Sequence, residues 1–280
     1  MRYNHDTLSV PTKGNDGVST ISAIRRCLLV AAIALASSTA AFAGPPYLTD
    51  DPEPVPYHHW EFYTFATGDR TRDTKNATGP AIEVNNGVAP NLQLHLVVPS
   101  VYTSSGGVSA SGIGDVEAGA KYRFLSETRN RPEIGLFPLA ELPSGNHDKG
   151  LGNGRAWFKL PVWLQKSWGP WTTYGGGGYA FNSAPGQRNY AFGGELIQRT
   201  ISPKLTLGGE VFFQGASVDS AGPGEPYATG SRSFAVYNLG GQYNFTPDLS
   251  LLFTAGHSFQ GEGNTLYYVG LYRTWGPGAP

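Results

Sequence analysis

From residue 57 to residue 275 the chain alternates apolar positions with polar or small ones, in runs of about ten residues. A period of two places successive side chains on opposite sides of a strand, so each run predicts a strand with unlike faces. Twelve are expected: 57–67, 78–88, 91–101, 113–124, 132–142, 155–165, 171–181, 189–199, 204–214, 231–245, 249–259 and 265–275. The links after even-numbered strands are short: 89–90, 126–131, 167–170, 202–203 and 247–248. Those after odd-numbered strands are mostly longer and polar, as at 68–77, 103–112, 143–154 and 216–230. Tight turns at one end and long loops at the other, over an even number of strands, predict an all-β fold. The specific form is a transmembrane antiparallel up-and-down β-barrel of about twelve strands. A soluble sandwich has no reason to gather its long loops at one end.

The faces follow the same rule. In "IGDVEAGAKYRF", Val116, Ala118, Ala120, Tyr122 and Phe124 share one side, opposite Asp115, Glu117, Gly119, Lys121 and Arg123. A hydrocarbon environment requires one unbroken apolar face, because a charged side chain there costs several kcal/mol. Trp60, Trp168, Trp171 and Trp275 fall near strand ends, where an interfacial girdle belongs, whereas Trp157 and Trp163 share the inward parity of Lys159. Pro138 and Pro161 fit poorly inside strands five and six. Pairing brings them opposite one another, at a shared bulge or an early end to the ladder.

Composition is consistent with this class: 38 glycines, 12% aromatic and only 15% charged residues. Residues 1–43 read as a leader. Ile24-Arg25-Arg26, the apolar run 28–36 and Ala41-Phe42-Ala43 follow the order of a secretory signal peptide, with cleavage after Ala43. The polar stretch ahead of it is long for such a signal, as an internal start near Val18 would explain. The only cysteine, Cys27, lies in the leader, so the mature chain has none and is not a disulfide scaffold. Removing Arg2, Lys13, Arg25 and Arg26 from the 20 basic residues, and Asp6 and Asp16 from the 21 acidic ones, leaves a net charge of −3. Nothing in that balance attracts nucleic acid.

The combination "TDDPEPV…HWEFYTF", the mid-chain "GIGDVEAGAKYRF" and the aromatic last strand resemble a family of Gram-negative outer-membrane proteins labelled the meta-pathway of phenol degradation, or transporter, family. The resemblance covers the whole mature chain. It implies an outer-membrane β-barrel and a link to aromatic-compound catabolism, and it carries no binding residues. The tail departs from the usual pattern: residues 276–280 follow Trp275, and Arg273 interrupts the apolar parity of the last strand.

Face assignment nominates the lumen. Inward acids are Glu61, Glu83, Asp115, Glu117, Glu133, Glu141, Glu195 and Glu210, and the bases are Lys121, Arg123 and Lys159. His95 is the one clearly inward histidine, and no serine is obviously placed beside it for hydrolysis. Three echoes, "AFGGELIQ", "TLGGEVFFQ" and "NLGGQYNF", repeat Gly-Gly before Glu or Gln. With Ser202-Pro203 as a two-residue turn, Glu195 falls opposite Glu210, both inward, with Gln242 nearby. Like charges so placed call for Lys121, Arg123 or Lys159 as partner, or for a shared proton. "TYGGGGYAF" reads as space for neighbouring aromatics or a sheet bend, and "SGNHDKGLGNG" as a flexible outer loop.

The expected function is an outer-membrane channel for passive passage of small solutes, aromatic or hydrophobic by resemblance. A barrel enzyme acting on lipid and a closed structural barrel are the alternatives. No catalytic, metal or cofactor site is expected. The partners would be outer-membrane lipid, the barrel-assembly machinery and a small-molecule solute. Residues 44–56, acidic and proline-rich, cannot join a ladder because Pro52, Pro54 and Pro56 remove donors at alternate positions. They read as a periplasmic tether ahead of the barrel at 57–275, with a plug against Lys121 or Arg123 as the alternative.

Overall fold

The computed structural model describes residues 45–72, 74–217, 233–261 and 263–277, so the expected leader lies outside the described residues. The strands are β1 (Trp60–Arg70), β2 (Thr74–Ala89), β3 (Leu92–Ser105), β4 (Val108–Ile113), β5 (Val116–Leu125), β6 (Glu133–Leu136) and β7 (Leu139–Leu142). They continue as β8 (Trp157–Trp168), β9 (Trp171–Phe181), β10 (Tyr190–Ser202), β11 (Leu205–Gln214), β12 (Phe234–Thr246), β13 (Leu249–Gln260) and β14 (Thr265–Trp275). Every neighbouring pair is antiparallel, and β1 closes on β14 from Trp60↔Trp275 to Arg70↔Thr265. β4 and β5 form one interrupted stave and β6 and β7 another, so the sheet is a closed barrel of 12 strands.

The interruption between β6 and β7 falls at Phe137-Pro138. Pairing with β8 stops at Leu136↔Val162 and resumes at Leu139↔Lys159 with its register unchanged, so this is a gap and not a bulge. Pro161 stays within β8, opposite Gly178, and the Phe137 N–H donates to its carbonyl at 3.2 Å. Phe137 keeps the inward parity of Glu133 and Gly135 across the gap and is buried in the lumen.

Alternation delivers an outward apolar belt. Leu94, Leu96 and Val98 on β3, Phe158, Leu160, Val162 and Leu164 on β8, and Val269 and Leu271 on β14 are all exposed, as lipid-facing side chains must be. Trp60 stacks on Trp275 with centroids 6.3 Å apart, and Trp168 pairs with Trp171. All four tryptophans of the expected girdle therefore sit at the short-turn rim.

Three expectations change. β1 begins at Trp60, because His58 takes a φ of 65° and turns the chain before pairing starts. The expected loops 68–77 and 103–112 are mostly strand, with the β1–β2 and β3–β4 hairpins paired out to Arg70↔Lys75 and Ser105↔Val108. The third change concerns β10 and β11. Ser202 pairs with Leu205 and Thr200 with Thr206, leaving Ile201 as an extra residue in β10. That single residue shifts the register: Leu196, not Glu195, pairs with Glu210. Leu196 is 0% exposed in the lumen, while Glu195 faces outward and bonds the Thr173 hydroxyl.

Residues 44–280 contain no cysteine, which makes this register testable. A fluorophore on Glu195→Cys should be quenched by nitroxide-labelled lipid, and one on Leu196→Cys should be shielded; the opposite pattern would contradict the bulge.

Candidate functional site: an occluded lumen with unlike cavities

The barrel is not empty. Residues 45–56 do not hang below it as a tether; they run inside it, with Thr49, Asp51 and Pro52 fully buried. The segment crosses from one wall to the other. The Thr254 hydroxyl donates to the Pro46 carbonyl at 2.9 Å on β13, and the Val55 N–H donates to Gln93 Oε1 at 2.8 Å on β3. A proline-rich chain has few donors, but those it keeps need acceptors once they leave water. Glu210 meets two of them, accepting from the Leu48 N–H at 2.9 Å and the Thr49 N–H at 2.8 Å, with Asn238 donating as a third.

This arrangement corrects the expected Glu195–Glu210 pair. Glu210 needs no basic partner, because backbone and amide donors surround its carboxylate. Gln242 lies farther along β12, opposite Thr206, and bonds Asn244 and Ser250. The Gly-Gly echoes acquire a different purpose. A Cβ at Gly194 would collide with Thr49 Oγ1, and one at Gly208 would press on Tyr47 and Gln198. These glycines leave the wall low enough for the segment to lie against it.

The segment's acids find their cation on β5. Lys121 Nζ lies 3.0 Å from Asp50 Oδ1 and 3.4 Å from Asp51 Oδ1, and 5.0 Å from the Phe137 ring centroid. Nearer the short-turn rim, Arg123 Nη1 lies 3.3 Å from Glu133 and 4.0 Å from Glu53. Burial, with the Glu133 charge next, pushes the Glu53 carboxyl up to about 7 against the pull of Arg123. A third of the Glu53 side chain remains open to water, which damps that effect.

The remaining candidates form a second network. Lys159 Nζ bridges Glu117 at 2.6 Å and Glu141 at 3.3 Å. His95 Nε2 donates to Glu117 Oε1 at 3.0 Å, and its Nδ1 meets Asn85 Oδ1 at 2.8 Å, so a carboxylate and an amide engage both ring nitrogens. Glu83 stands 3.5 Å from the same ring, and Glu61 accepts from the Tyr272 and Tyr63 hydroxyls. Asp115 serves the outer loop: its oxygens accept from the Gly145 and Asn153 N–H groups at 2.9 and 2.6 Å. The loop expected to be flexible thus folds inward, with a short helical turn at His147–Lys149 and Leu151 buried.

Among the described residues, two cavities border the segment and a vestibule lies above them. At the long-loop rim, a vestibule of about 650 Å³ is lined by Asn76, Asn153, Asn182, Asp115, Trp157 and Tyr190 among others. Below it on the β8–β11 side lies a cavity of about 360 Å³, walled by Trp157, Trp163, Tyr190, Phe192 and Phe212, with Leu48 and Asp50 of the segment against it. A smaller polar cavity, about 160 Å³, lies on the β1–β5 side. Sequence parity identified Trp157 and Trp163 as inward. Parity also put Phe212 on the inward face of Glu210, whereas Tyr190 and Phe192 of β10 were missed because the faces there were one residue out.

Removing the Lys121 ammonium would leave Asp50 and Asp51 unpaired in the lumen, at a cost of roughly 3–5 kcal/mol if both stay docked. Lys121→Met should therefore release residues 45–56 to protease cleavage in the folded barrel, and adding Asp50→Asn and Asp51→Asn should restore protection. Equal protease resistance in wild type and Lys121→Met would contradict the latch.

Comparison with solved structures supports the architecture. The COG4313 outer membrane channel from Pseudomonas putida F1 is similar over 86% of this chain and 100% of its own, with a TM-score of 0.67 and 14% identity. The NanC porin is similar over 76% of this chain and 98% of its own, with a TM-score of 0.52 and 10% identity. At these identities the likeness establishes the fold alone. No curated protein sequence matches the chain significantly. A family model does match, across residues 61–273, which is nearly the whole barrel. By that match the chain belongs to the family described as "Putative MetA-pathway of phenol degradation".

Proposed function

We propose that the protein is an outer-membrane channel through which small aromatic or apolar solutes pass, with residues 45–56 as its closing element. The observation that carries this reading is the aromatic cavity below the vestibule. Its volume of about 360 Å³ exceeds the roughly 150 Å³ of an engineered apolar cavity that binds benzene. Trp163, Phe192 and Phe212 offer flat apolar faces, and Trp157 and Tyr190 border both this cavity and the vestibule. A solute entering from the long-loop side therefore meets amides and carboxylates first and aromatic rings second. Its way onward is blocked by Leu48 and Asp50, so passage requires the segment to shift.

The outward apolar belt and the tryptophan girdle support membrane residence, and the short turns would face the periplasm. The family description supports a connection with aromatic compounds.

In vesicles with a lipopolysaccharide outer leaflet, labelled p-cresol should enter several-fold faster with the protein than without it. Phe212→Gln, which makes the cavity wall polar, should remove most of that gain while the barrel keeps its heat-modifiable folded form. Equal entry with and without the wild-type protein would contradict the reading.

A further inference from the structure

The docked segment leaves room on both of its sides, and the two sides differ in chemistry. On the β8–β11 side the walls are aromatic, and Lys159, Asp50 and Gln214 are the only polar residues among those lining the cavity. On the β1–β5 side the smaller cavity is bordered by Asp50, Glu53, Glu61, Glu83 and Glu117, with His95 and Lys121. The vestibule above adds Asp115 and Glu141, and no lysine or arginine is among its lining residues.

These spaces adjoin one another in a defined order. Glu117 borders both the vestibule and the acidic cavity. Pro54, Val55 and Pro56 border the acidic cavity at its far end, where the segment leaves the lumen toward β1 at the short-turn rim. Trp157 and Tyr190 join the same vestibule to the aromatic cavity instead. One vestibule thus adjoins both cavities.

We propose that the lumen forks, and that its acidic branch conducts small cations past the docked segment while the aromatic branch stays closed. The inference rests on the reading of the protein as a channel and adds a second permeant class to it. Seven carboxylates line the vestibule and the acidic cavity together; Asp50, Glu53, Glu117 and Glu141 are paired with Lys121, Arg123 and Lys159, and among the described residues Glu61, Glu83 and Asp115 have no lysine or arginine partner. Lys121 is already engaged by Asp50 and Asp51, and Lys159 by Glu117 and Glu141, so neither presents a free positive charge to an entering anion. Glu61 and Glu83 are held by hydroxyls, an amide and His95, which fixes their position without a lysine or arginine to neutralise them. Carboxylates without a lysine or arginine partner, set within low-dielectric walls, favour cations.

The test is the reversal potential of the intact wild-type protein in a planar bilayer under a KCl gradient. It should be run near 0.1 M salt, where the screening length is still about 10 Å. The branch should conduct without any solute, with potassium preferred over chloride by at least about fivefold. Glu61→Gln with Glu83→Gln should bring the ratio close to one, and the lipid-facing Glu195→Gln should leave it unchanged. Absence of current, chloride preference, or a ratio that survives the double substitution would each overturn the acidic branch. Uptake of p-cresol reads the channel itself independently, so either claim can fail without the other.

Discussion

The arrangement of this lumen depends on one fully buried carboxyl group. Asp51 is 0% exposed, in a barrel interior where an unpaired charge would be very costly. Lys121 and the Glu53 N–H, which donates to Asp51 Oδ1 at 2.6 Å, make its burial tolerable, and the pairing of Lys121 with Asp50 and Asp51 holds residues 45–56 across the lumen. Other features follow from accommodating the segment. Glu210 turns its carboxylate to two backbone N–H groups, Gln93 accepts a third, and glycines at 135, 194 and 208 leave the wall bare where the chain lies closest. Phe137 belongs to the same set, with its ring centroid 5.0 Å from the Lys121 ammonium that holds the segment. A closed barrel needs none of these for its own stability. Each is needed by a strand-less segment that must be satisfied from the walls.

Much of the architecture could be read from alternation alone. The twelve expected strands correspond to the twelve staves, and parity correctly turned Glu83, His95, Glu117, Lys121, Lys159 and Glu210 inward. It failed on β10. Ile201 is an extra residue beside the turn, and one unpaired residue reverses the face of everything before it. A bulge leaves no mark on local composition, so only the demand that Leu196 and Ile197 take opposite environments could have revealed it. The proline-rich segment was harder still. Its prolines correctly excluded it from the sheet, but an excluded segment can lie either outside or inside. The deciding contacts, Thr49 with Glu210 and Val55 with Gln93, join residues far apart in sequence.

The division of the lumen follows from where the segment lies. It crosses between a wall rich in carboxylates on β1–β5 and a wall rich in rings on β8–β11, which keeps most of each chemistry on its own side. The Gly-rich stretch of β9 contributes by omission: Gly176 backs onto Trp163 and Gly178 onto Pro161, giving the ring-lined side its depth. Charge and apolar surface are thus separated within one barrel by a dozen residues of irregular chain.

Because residues 44–280 contain no cysteine, the central claim can be tested with one engineered bond. Thr49→Cys and Gly194→Cys place two thiols where the segment rests against β10. Oxidation should join them in the folded barrel and stop entry of aromatic solute, and reduction should restore it. A barrel in which the bond does not form, or in which solute entry is the same in both states, would contradict a docked segment that opens to let solute through.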